Sequence, residues 1–164
     1  MEETLKIEEK IGQLLVGKRL TISTAESCTG GNIAHKITSV AGSSVYYIGG
    51  VVSYSNYIKS EFLGVLDTEI EQFGAVSEPV VRHMAEGVKR RMSTDCSIAT
   101  SGIAGPGGGT NEKPVGTIWI AICTPQGTYS KCLHTNVTDR LENIDIASQQ
   151  ALEMLYYQLL EEDL

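Results

Sequence analysis

The chain has 164 residues and a formal net charge of -7, from 13 basic and 20 acidic side chains. This length fits one domain that buries its own core, and no run approaches the roughly 18 apolar residues that a membrane-spanning helix needs. Because an acidic surface repels phosphate backbones, we expect neither a nucleic-acid partner nor a membrane partner.

The cysteines and the first ten residues bear on where the protein works. The four cysteines are widely spaced and form no C-x-x-C pair, which disfavours both a zinc site and disulfides. Cys96 and Cys123 lie in apolar runs and are predicted to be buried. The opening MEETLKIEEK is acidic and amphipathic, whereas a secretory signal begins with basic residues followed by an apolar block. We therefore predict a cytoplasmic protein.

Helical and strand-like patterns alternate over the first half of the chain. In chain order they predict a helix over 5–16, a strand from Leu20, a helix over 30–40, a strand over 45–54, a short helix over 55–64 and a helix over 77–92. Gly49 and Gly50 interrupt the second strand and predict a bulge or bend there. Asn56 is the candidate N-cap of the short helix.

The second half of the chain begins with the buried-strand pattern CSIATSG at 96–102, followed by a glycine-rich loop. GTIWIAICT and GTYSKCLHT then flank PQG and predict a β-hairpin. Apolar residues at helical spacing predict a long packing helix over 139–160. Because helices and strands alternate before a hairpin follows, the sequence predicts an α/β domain with a mixed sheet covered on both faces.

TAESCTGG, residues 24–31, places Ser27 and Cys28 side by side directly after the first predicted strand. Ligands of open α/β sheets collect outside this carboxyl edge. A helix beginning near Thr29 would direct its free N–H groups to the same point, where they suit a phosphate or an oxyanion. Gly30 would let a ligand approach the backbone closely. The alternative is that Ser27 or Thr29 only caps the helix.

A serine nucleophile needs a base, and the positions of the three histidines show no Ser-His-Asp pattern. The segment YSNYIK offers a lysine instead, since Tyr54 ends a predicted strand and Lys59 lies in the first turn of the next helix. The positive helix end and partial burial both favour the uncharged amine. Tyr54 would relay the proton or hold the lysine. The alternative is that Lys59 is an ordinary solvated lysine.

The loop over 101–116 contains six glycines but neither the G-K-[ST] nor the G-x-G-x-x-G pattern. It predicts only that backbone N–H groups face a ligand, and a flexible surface loop is the alternative. The candidate binding residues on it are Ser101, Gly102 and Gly105. Arg140 is a cation that would neutralise an anionic substrate group, with a surface ion pair to Asp139 as its alternative.

Six segments in order, TAESCTGG, AGSS, YSN with its following lysine, GAVSEPVV, SGIAGPGGG and EKPVGT, resemble the CinA C-terminal domain family. Their spacing resembles that of the family's free-standing nicotinamide-mononucleotide deamidases of the PncC type, over about residues 5–160. The resemblance implies a three-layer α/β/α sandwich in a single domain over 1–164. It also implies an amidohydrolase that converts nicotinamide mononucleotide to nicotinic acid mononucleotide and ammonia, without a metal or other cofactor, as a homo-oligomer.

The resemblance also assigns catalytic roles. Ser27 becomes the nucleophile, Lys59 with Tyr54 takes its proton, and water then cleaves the nicotinoyl ester. The backbone N–H of Ser27 or Cys28, with the glycine-rich loop, would stabilise the oxyanion. Cys28 is the rival nucleophile, since an amidase can use a thiolate at a helix N-terminus.

Substrate binding is assigned in the same way. Ser44, the second serine of AGSS, and Arg140 would hold the mononucleotide, with Cys28, Thr29 and Gly30 of the turn beside it. The segment around Arg140 departs from the family pattern, because Thr138 replaces the usual glycine and Ile144 replaces a further arginine. Two other functions stay open: a non-catalytic pyridine-nucleotide-binding module, and a competence-associated DNA-binding protein, which the acidic balance disfavours.

Overall fold

A computed structural model describes residues 4–163, in which a five-stranded sheet lies between two layers of helices. The elements in chain order are α1 (Ile7–Lys18), β1 (Ile22–Glu26), α2 (Asn32–Thr38), a 3-10 turn (Ser43–Val45), β2 (Tyr47–Val52), α3 (Asn56–Leu63), α4 (Asp67–Phe73), α5 (Glu78–Met92), β3 (Cys96–Gly102), β4 (Thr117–Thr124), β5 (Gly127–His134) and α6 (Arg140–Glu161).

The strand order is β2-β1-β3-β4-β5. β1 runs parallel to both β2 and β3, whereas β4 is antiparallel to β3 and β5. The predicted mixed sheet and the predicted hairpin are therefore confirmed. Since β1, β2 and β3 are parallel, their carboxyl ends meet at one edge of the sheet, and the turns that follow them share that edge.

Side chains alternate between the two faces of each strand, so each face of the sheet builds its own core. Ile98 and Ile120 belong to the core beneath α1, α2 and α6. Ala99 and Ala121 belong to the core beneath α3, α4 and α5, where small side chains let α5 pack close to the sheet. This arrangement is the three-layer α/β/α sandwich that the resemblance implied.

One local prediction is wrong, one helix was not predicted, and one prediction is confirmed. Ser55, not Asn56, caps α3, because the Ser55 hydroxyl accepts the Ile58 N–H at 3.2 Å. α4 was not predicted, since its seven residues bury only one side chain and carry little periodic signal. The predicted bulge is present: the β1–β2 register shifts by one residue just before Gly49.

α6 fixes the glycine-rich loop against the sheet. Its Asn143 is fully buried, and the amide Nδ2 donates to the carbonyls of Ala104 and Val137, both at 2.8 Å. The Asn143 Oδ1 accepts from the Thr135 hydroxyl at 2.6 Å. The Asn143 side chain therefore joins α6 to the glycine-rich loop and to the segment before α6. These contacts lie at the edge of the sheet where β1 ends.

Cys96 and Cys123 are buried and free, as predicted. Within residues 4–163, no helix combines the length and the apolar character needed to cross a bilayer. Over the same range, no three or more His, Cys, Asp and Glu side chains are grouped so that they could hold a metal ion.

Candidate active site

Ser27 and Lys59 meet at the carboxyl edge of the sheet, although 32 positions separate them in sequence. Ser27 is the first residue after β1, and Lys59 is the fourth residue of α3. The Lys59 Nζ lies 3.1 Å from the Ser27 Oγ. Lys59 is 1% exposed and Ser27 is 8% exposed, so the contact is shielded from solvent. Lys59 is therefore not an ordinary solvated lysine.

Two backbone carbonyls complete the surroundings of the Lys59 amine. Nζ lies 2.8 Å from the carbonyl oxygen of Ser53 and 3.4 Å from that of Tyr54. A neutral amine has two N–H groups and one lone pair. When both N–H groups are given to the carbonyls, the lone pair is left to accept the hydroxyl proton of Ser27. In this arrangement the lone pair of the neutral amine would face the Ser27 hydroxyl.

Burial also sets the charge of this amine. Desolvation lowers the pKa of Lys59 below its ordinary value of 10.5, because an ammonium group is stabilised by water that the site excludes. In the described part of the chain, no carboxylate lies within salt-bridge distance of Nζ to oppose this effect. The lowered pKa increases the fraction of the amine that is able to accept a proton.

The Tyr54 hydroxyl points away from Lys59 and towards Arg140. The Arg140 Nη2 donates to it at 2.6 Å, while Nη1 donates to the carbonyl of Gly105 at 2.7 Å. Only the backbone carbonyl of Tyr54 contacts Lys59. The predicted relay through the Tyr54 hydroxyl is therefore not formed in this structure, although the predicted contact between the tyrosine residue and the lysine is present.

A cavity of about 270 Å³ reaches Cys28, the residue after Ser27, while Ser27 and Lys59 are not among the residues that line it. Its walls are Cys28, Tyr54, Arg140 and the loop residues Gly102, Ile103, Ala104, Gly105, Gly107 and Gly108. The volume lies just below the roughly 300–1,000 Å³ of typical small-molecule pockets. Larger clefts of about 690 and 780 Å³ lie at the β4–β5 turn and beside α1, away from the serine and the lysine.

Close packing explains why the loop carries glycine at two of the predicted positions. A Cβ on Gly102 would lie 2.7 Å from the Ile118 Cα. Gly105 has a φ of +92°, and a Cβ there would lie 2.7 Å from the carbonyl oxygen of Thr138. Any side chain would therefore push the backbone away from β4 and from the segment before α6.

The Glu26 carboxylate occupies the N-terminus of α2. It accepts the N–H groups of Ile33 at 2.8 Å and Ala34 at 3.0 Å, and the Thr29 hydroxyl at 2.6 Å. α2 begins at Asn32 rather than near Thr29. The prediction that free N–H groups of this helix point at a substrate is therefore wrong, because a buried side chain of the same protein already takes them.

Only part of the predicted oxyanion site is open. The Ser27 N–H donates to the Thr100 carbonyl at 3.1 Å, so of the two predicted donors, Ser27 and Cys28, this one is already engaged. Within residues 4–163, the N–H groups of Cys28 and Thr29 have no hydrogen-bond acceptor. The free donor closest in sequence to Ser27 is therefore the N–H of Cys28, a residue that lines the cavity.

The family model for the CinA C-terminal domain matches residues 4–159. The chain belongs to the CinA C-terminal domain family. Solved structures agree: the competence/damage inducible protein CihA of Agrobacterium tumefaciens is 36% identical with a TM-score of 0.87, covering 97% of this chain and 99% of that one. The competence damage-inducible protein A of Klebsiella pneumoniae is 32% identical with a TM-score of 0.90, covering 94% and 95%.

Relatives of two lengths share the CinA domain. The nicotinamide-nucleotide amidohydrolases PncC of Shigella flexneri and of Escherichia coli K12 are each 43% identical over 162 residues, covering 97% of this chain and 96% of the relative. A CinA-like protein of Amoebophilus asiaticus is 46% identical over 149 residues, which is 91% of this chain but 36% of the relative. The chain thus spans little more than a third of such CinA-like proteins and almost all of PncC.

Cys28, the rival nucleophile of this CinA domain, is held as a neutral thiol. Burial raises its pKa from 9.0 to about 12, and the negative charge of Glu26 adds to the increase, while a hydrogen bond with the Thr100 side chain acts against it. Cys28 is 6% exposed and lines the cavity next to Ser27. Its thiolate is therefore scarce at neutral pH.

Ser44 does not reach the cavity of its own CinA domain. It is exposed in the 3-10 turn before β2, and the first residue of β2, Tyr47, pairs with Ile22 at the start of β1. Ser27 follows the other end of β1. The five residues of β1 span about 17 Å, so this length separates the two ends of the strand. The expectation that this serine shares one pocket with the catalytic pair fails within a single chain.

The remaining predicted residues lie close to the edge of the sheet at which β1 and β3 end. Gly30 is exposed on the turn after β1, with a φ of +57°. Ser101 is buried at the end of β3 and donates its hydroxyl to the Ala75 carbonyl at 2.7 Å. The sequence analysis named neither the carbonyl of Ser53 nor the capping role of Glu26. Both contacts depend on how the backbone folds, and no residue pattern in the sequence indicates them.

Proposed function

We propose that the chain is a nicotinamide-nucleotide amidohydrolase, converting nicotinamide mononucleotide to nicotinic acid mononucleotide and ammonia. The observation that carries the proposal is the 3.1 Å contact between the Ser27 Oγ and the buried Lys59 Nζ, next to Cys28, which lines a cavity. Similarity to PncC over nearly the full length of both chains supports the substrate class.

The chemistry is acyl transfer through an ester. Lys59 accepts the Ser27 proton as Oγ bonds to the carboxamide carbon, and the carbonyl oxygen becomes an oxyanion near the Cys28 N–H. The carbon–nitrogen bond then breaks, and the leaving nitrogen takes the proton from Lys59 and departs as ammonia. Water gives a proton to Lys59 as it attacks the ester, and that proton returns to Ser27 when the acid is released.

Arg140 and Tyr54 supply the features that a mononucleotide needs. Arg140 binds two neutral oxygens and, among residues 4–163, has no carboxylate in salt-bridge range, so its charge is available to a phosphate. The Tyr54 ring is 60% exposed and offers an aromatic face to a pyridine. Half-buried Ile144 adds no charge, leaving Arg140 as the phosphate ligand on α6.

The proposal also covers assembly and partners. It places the enzyme in the cytoplasm as a homo-oligomer that acts on a small-molecule mononucleotide and does not bind nucleic acid. Because Ser44 lies at the opposite edge of its own sheet, it would contact a mononucleotide only from a second copy.

Ammonia release tests the proposal directly. The purified protein is incubated with nicotinamide mononucleotide, and nicotinamide riboside, nicotinamide and an oxidised dinucleotide serve as comparison substrates. We expect ammonia and nicotinic acid mononucleotide in equal amounts, with the mononucleotide preferred. Saturable binding of the mononucleotide without ammonia would instead support the non-catalytic binding module.

The pH dependence follows from the state of the Lys59 amine. A protonated amine has no lone pair to accept the Ser27 proton, so kcat/KM should rise with pH until Lys59 is deprotonated. Burial lowers the pKa of Lys59, so the midpoint should lie below 10.5. A rate profile measured from neutral to alkaline pH, under conditions where the chemical step limits turnover, checks this. A flat profile would exclude Lys59 as the base.

Cys28→Ser should retain most of the activity. The thiol is neutral because of its raised pKa, and its contribution to the site is a backbone N–H that the substitution preserves. We expect kcat/KM within about fivefold of the wild type, as for a change that leaves the nucleophile and its base in place. Complete loss of ammonia release from a variant with an unchanged melting temperature would make Cys28 the nucleophile.

A further inference from the structure

Three buried hydroxyl groups have no hydrogen-bond partner among residues 4–163: those of Tyr46, Ser53 and Thr117. Burying a hydroxyl without a partner is unfavourable, because its bonds to water are lost and not replaced. Tyr46 lies just before β2, at the edge of the sheet opposite Ser27, and Thr117 begins β4. Ser53 is the one of these three residues that contacts Lys59.

The backbone of Ser53 is fixed on both sides, while its hydroxyl has no partner. The Ser53 N–H donates to the Glu26 carbonyl at 2.9 Å, and the Ser53 carbonyl accepts from the Lys59 amine at 2.8 Å. The residue is fully buried. A serine side chain has three staggered rotamers, so rotation about χ1 alone would redirect the hydroxyl while the backbone stays anchored next to the amine.

Protonation of Lys59 changes the number of acceptors that the amine needs. The neutral amine has two N–H groups, and the carbonyls of Ser53 and Tyr54 accept them. The ammonium has three N–H groups. The Tyr54 contact is long, at 3.4 Å, and the Ser27 oxygen becomes a poor acceptor once it is bonded to carbon. The cation is therefore left with one good acceptor.

We propose that the Ser53 hydroxyl is a positioning group for Lys59, accepting an N–H from its ammonium form, and that this contact matters most while the Ser27 oxygen is bonded to the acyl carbon. The inference rests on the proposed function, because an acyl intermediate arises only if Ser27 is the nucleophile. The proton balance is unchanged. Lys59 receives one proton from Ser27 or from water and returns it to the leaving nitrogen or to Ser27, and Ser53 neither gains nor loses one.

Other charged or titratable groups near Lys59 are already engaged or distant, which leaves the hydroxyl as the available acceptor. The Cys28 thiol is held neutral by its raised pKa, and the Glu26 carboxylate binds the N-terminus of α2 and Thr29. The Tyr54 hydroxyl binds Arg140. Arg90 and Arg91 of α5 lie at the far end of α3, against Gly64 and Phe62.

Ser53→Ala is the test, and Tyr46→Phe is its matched control. Both substitutions delete a buried hydroxyl that has no partner, so both should leave the melting temperature unchanged or higher. We expect Ser53→Ala alone to lower kcat, by about 10- to 100-fold, as for loss of one hydrogen bond to a charged group. KM should stay within about twofold, and the acid limb of the kcat profile should move to lower pH because the ammonium loses an acceptor.

Wild-type kcat and an unshifted pH profile in Ser53→Ala would overturn the inference, as would an equal loss of kcat in Tyr46→Phe. A second measurement separates it from the proposed function: the Lys59 pKa is followed by NMR of isotope-labelled lysine, assigned with Lys59→Met. A lower Lys59 pKa in Ser53→Ala than in the wild type supports the hydroxyl–amine interaction even if no ammonia is released. Identical values count against it even if the enzyme is active.

Discussion

Ser27→Ala is expected to lower kcat/KM for ammonia release from nicotinamide mononucleotide by about 10⁴- to 10⁶-fold, as for other activated serine nucleophiles. The substitution removes the oxygen that would form the ester and leaves the Lys59 amine, the Arg140 guanidinium and the Cys28 N–H in place. Affinity for the mononucleotide should therefore stay near that of the wild type. Single-turnover ammonia release and isothermal titration measure the two effects separately.

The melting temperature is the control for this variant. The side chain of Ser27 bonds only to Lys59 among the described residues, and alanine fits the same space, so folding should be unaffected. Turnover at the wild-type rate would remove Ser27 from the mechanism and return attention to Cys28. Loss of binding together with turnover would show that the alanine had disturbed the cavity.

Lys59→Met is expected to lower kcat by about 10²- to 10⁴-fold, the usual contribution of a positioned general base. The same change should raise the free energy of unfolding at neutral pH, because methionine fills a similar volume without an amine in a site that is 1% exposed. A variant that is both more stable and nearly inactive would identify Lys59 as a residue kept for chemistry rather than for folding.

The sign of the stability effect depends on pH. Because the pKa of Lys59 is lower in the folded protein than its ordinary 10.5, the unfolded chain binds more protons between the two values, and wild-type stability rises with pH across that interval. The advantage of Lys59→Met should be largest below the folded pKa and should shrink as pH approaches 10.5. Urea unfolding at neutral and alkaline pH measures this trend.

Lys89→Met is the matched control for that comparison. Lys89 is a partly buried lysine of α5 that donates to the carbonyl of Thr124, away from the Ser27–Lys59 pair. The Lys89→Met variant should release ammonia at the wild-type rate. A gain in stability and a loss of activity shared by both lysine variants would contradict the special role given to Lys59.

The spacing of apolar residues predicted most of the helices and strands, because an element that buries one face carries apolar side chains at regular intervals. The strand over 96–102 and the hairpin that follows were predicted with nearly the observed bounds, and α6 begins one residue after the predicted start. α4 was missed because it buries only Ile70. The cap of α3 was misplaced by one residue because serine and asparagine both cap helices well.

The sequence predicted the contact between Ser27 and Lys59 but less of the geometry around it. Motif order indicated the Ser27–Lys59 pair, but no local pattern shows that the Glu26 carboxylate folds back over α2 or that the Tyr54 hydroxyl turns towards Arg140. These contacts depend on how separate elements pack. Ser44 illustrates the same limit, since strand direction decides which end of the sheet a residue reaches.

Glu26 fills the helix end that many α/β proteins leave open to a bound phosphate. Under the proposed function, the phosphate of the nucleotide would therefore be bound by Arg140, apart from the Ser27–Lys59 pair that cleaves the amide. Natural variation around Arg140 would then alter which nicotinamide compounds are accepted without touching the residues that break the amide. Such a division offers a route by which one catalytic framework diversifies among related metabolites.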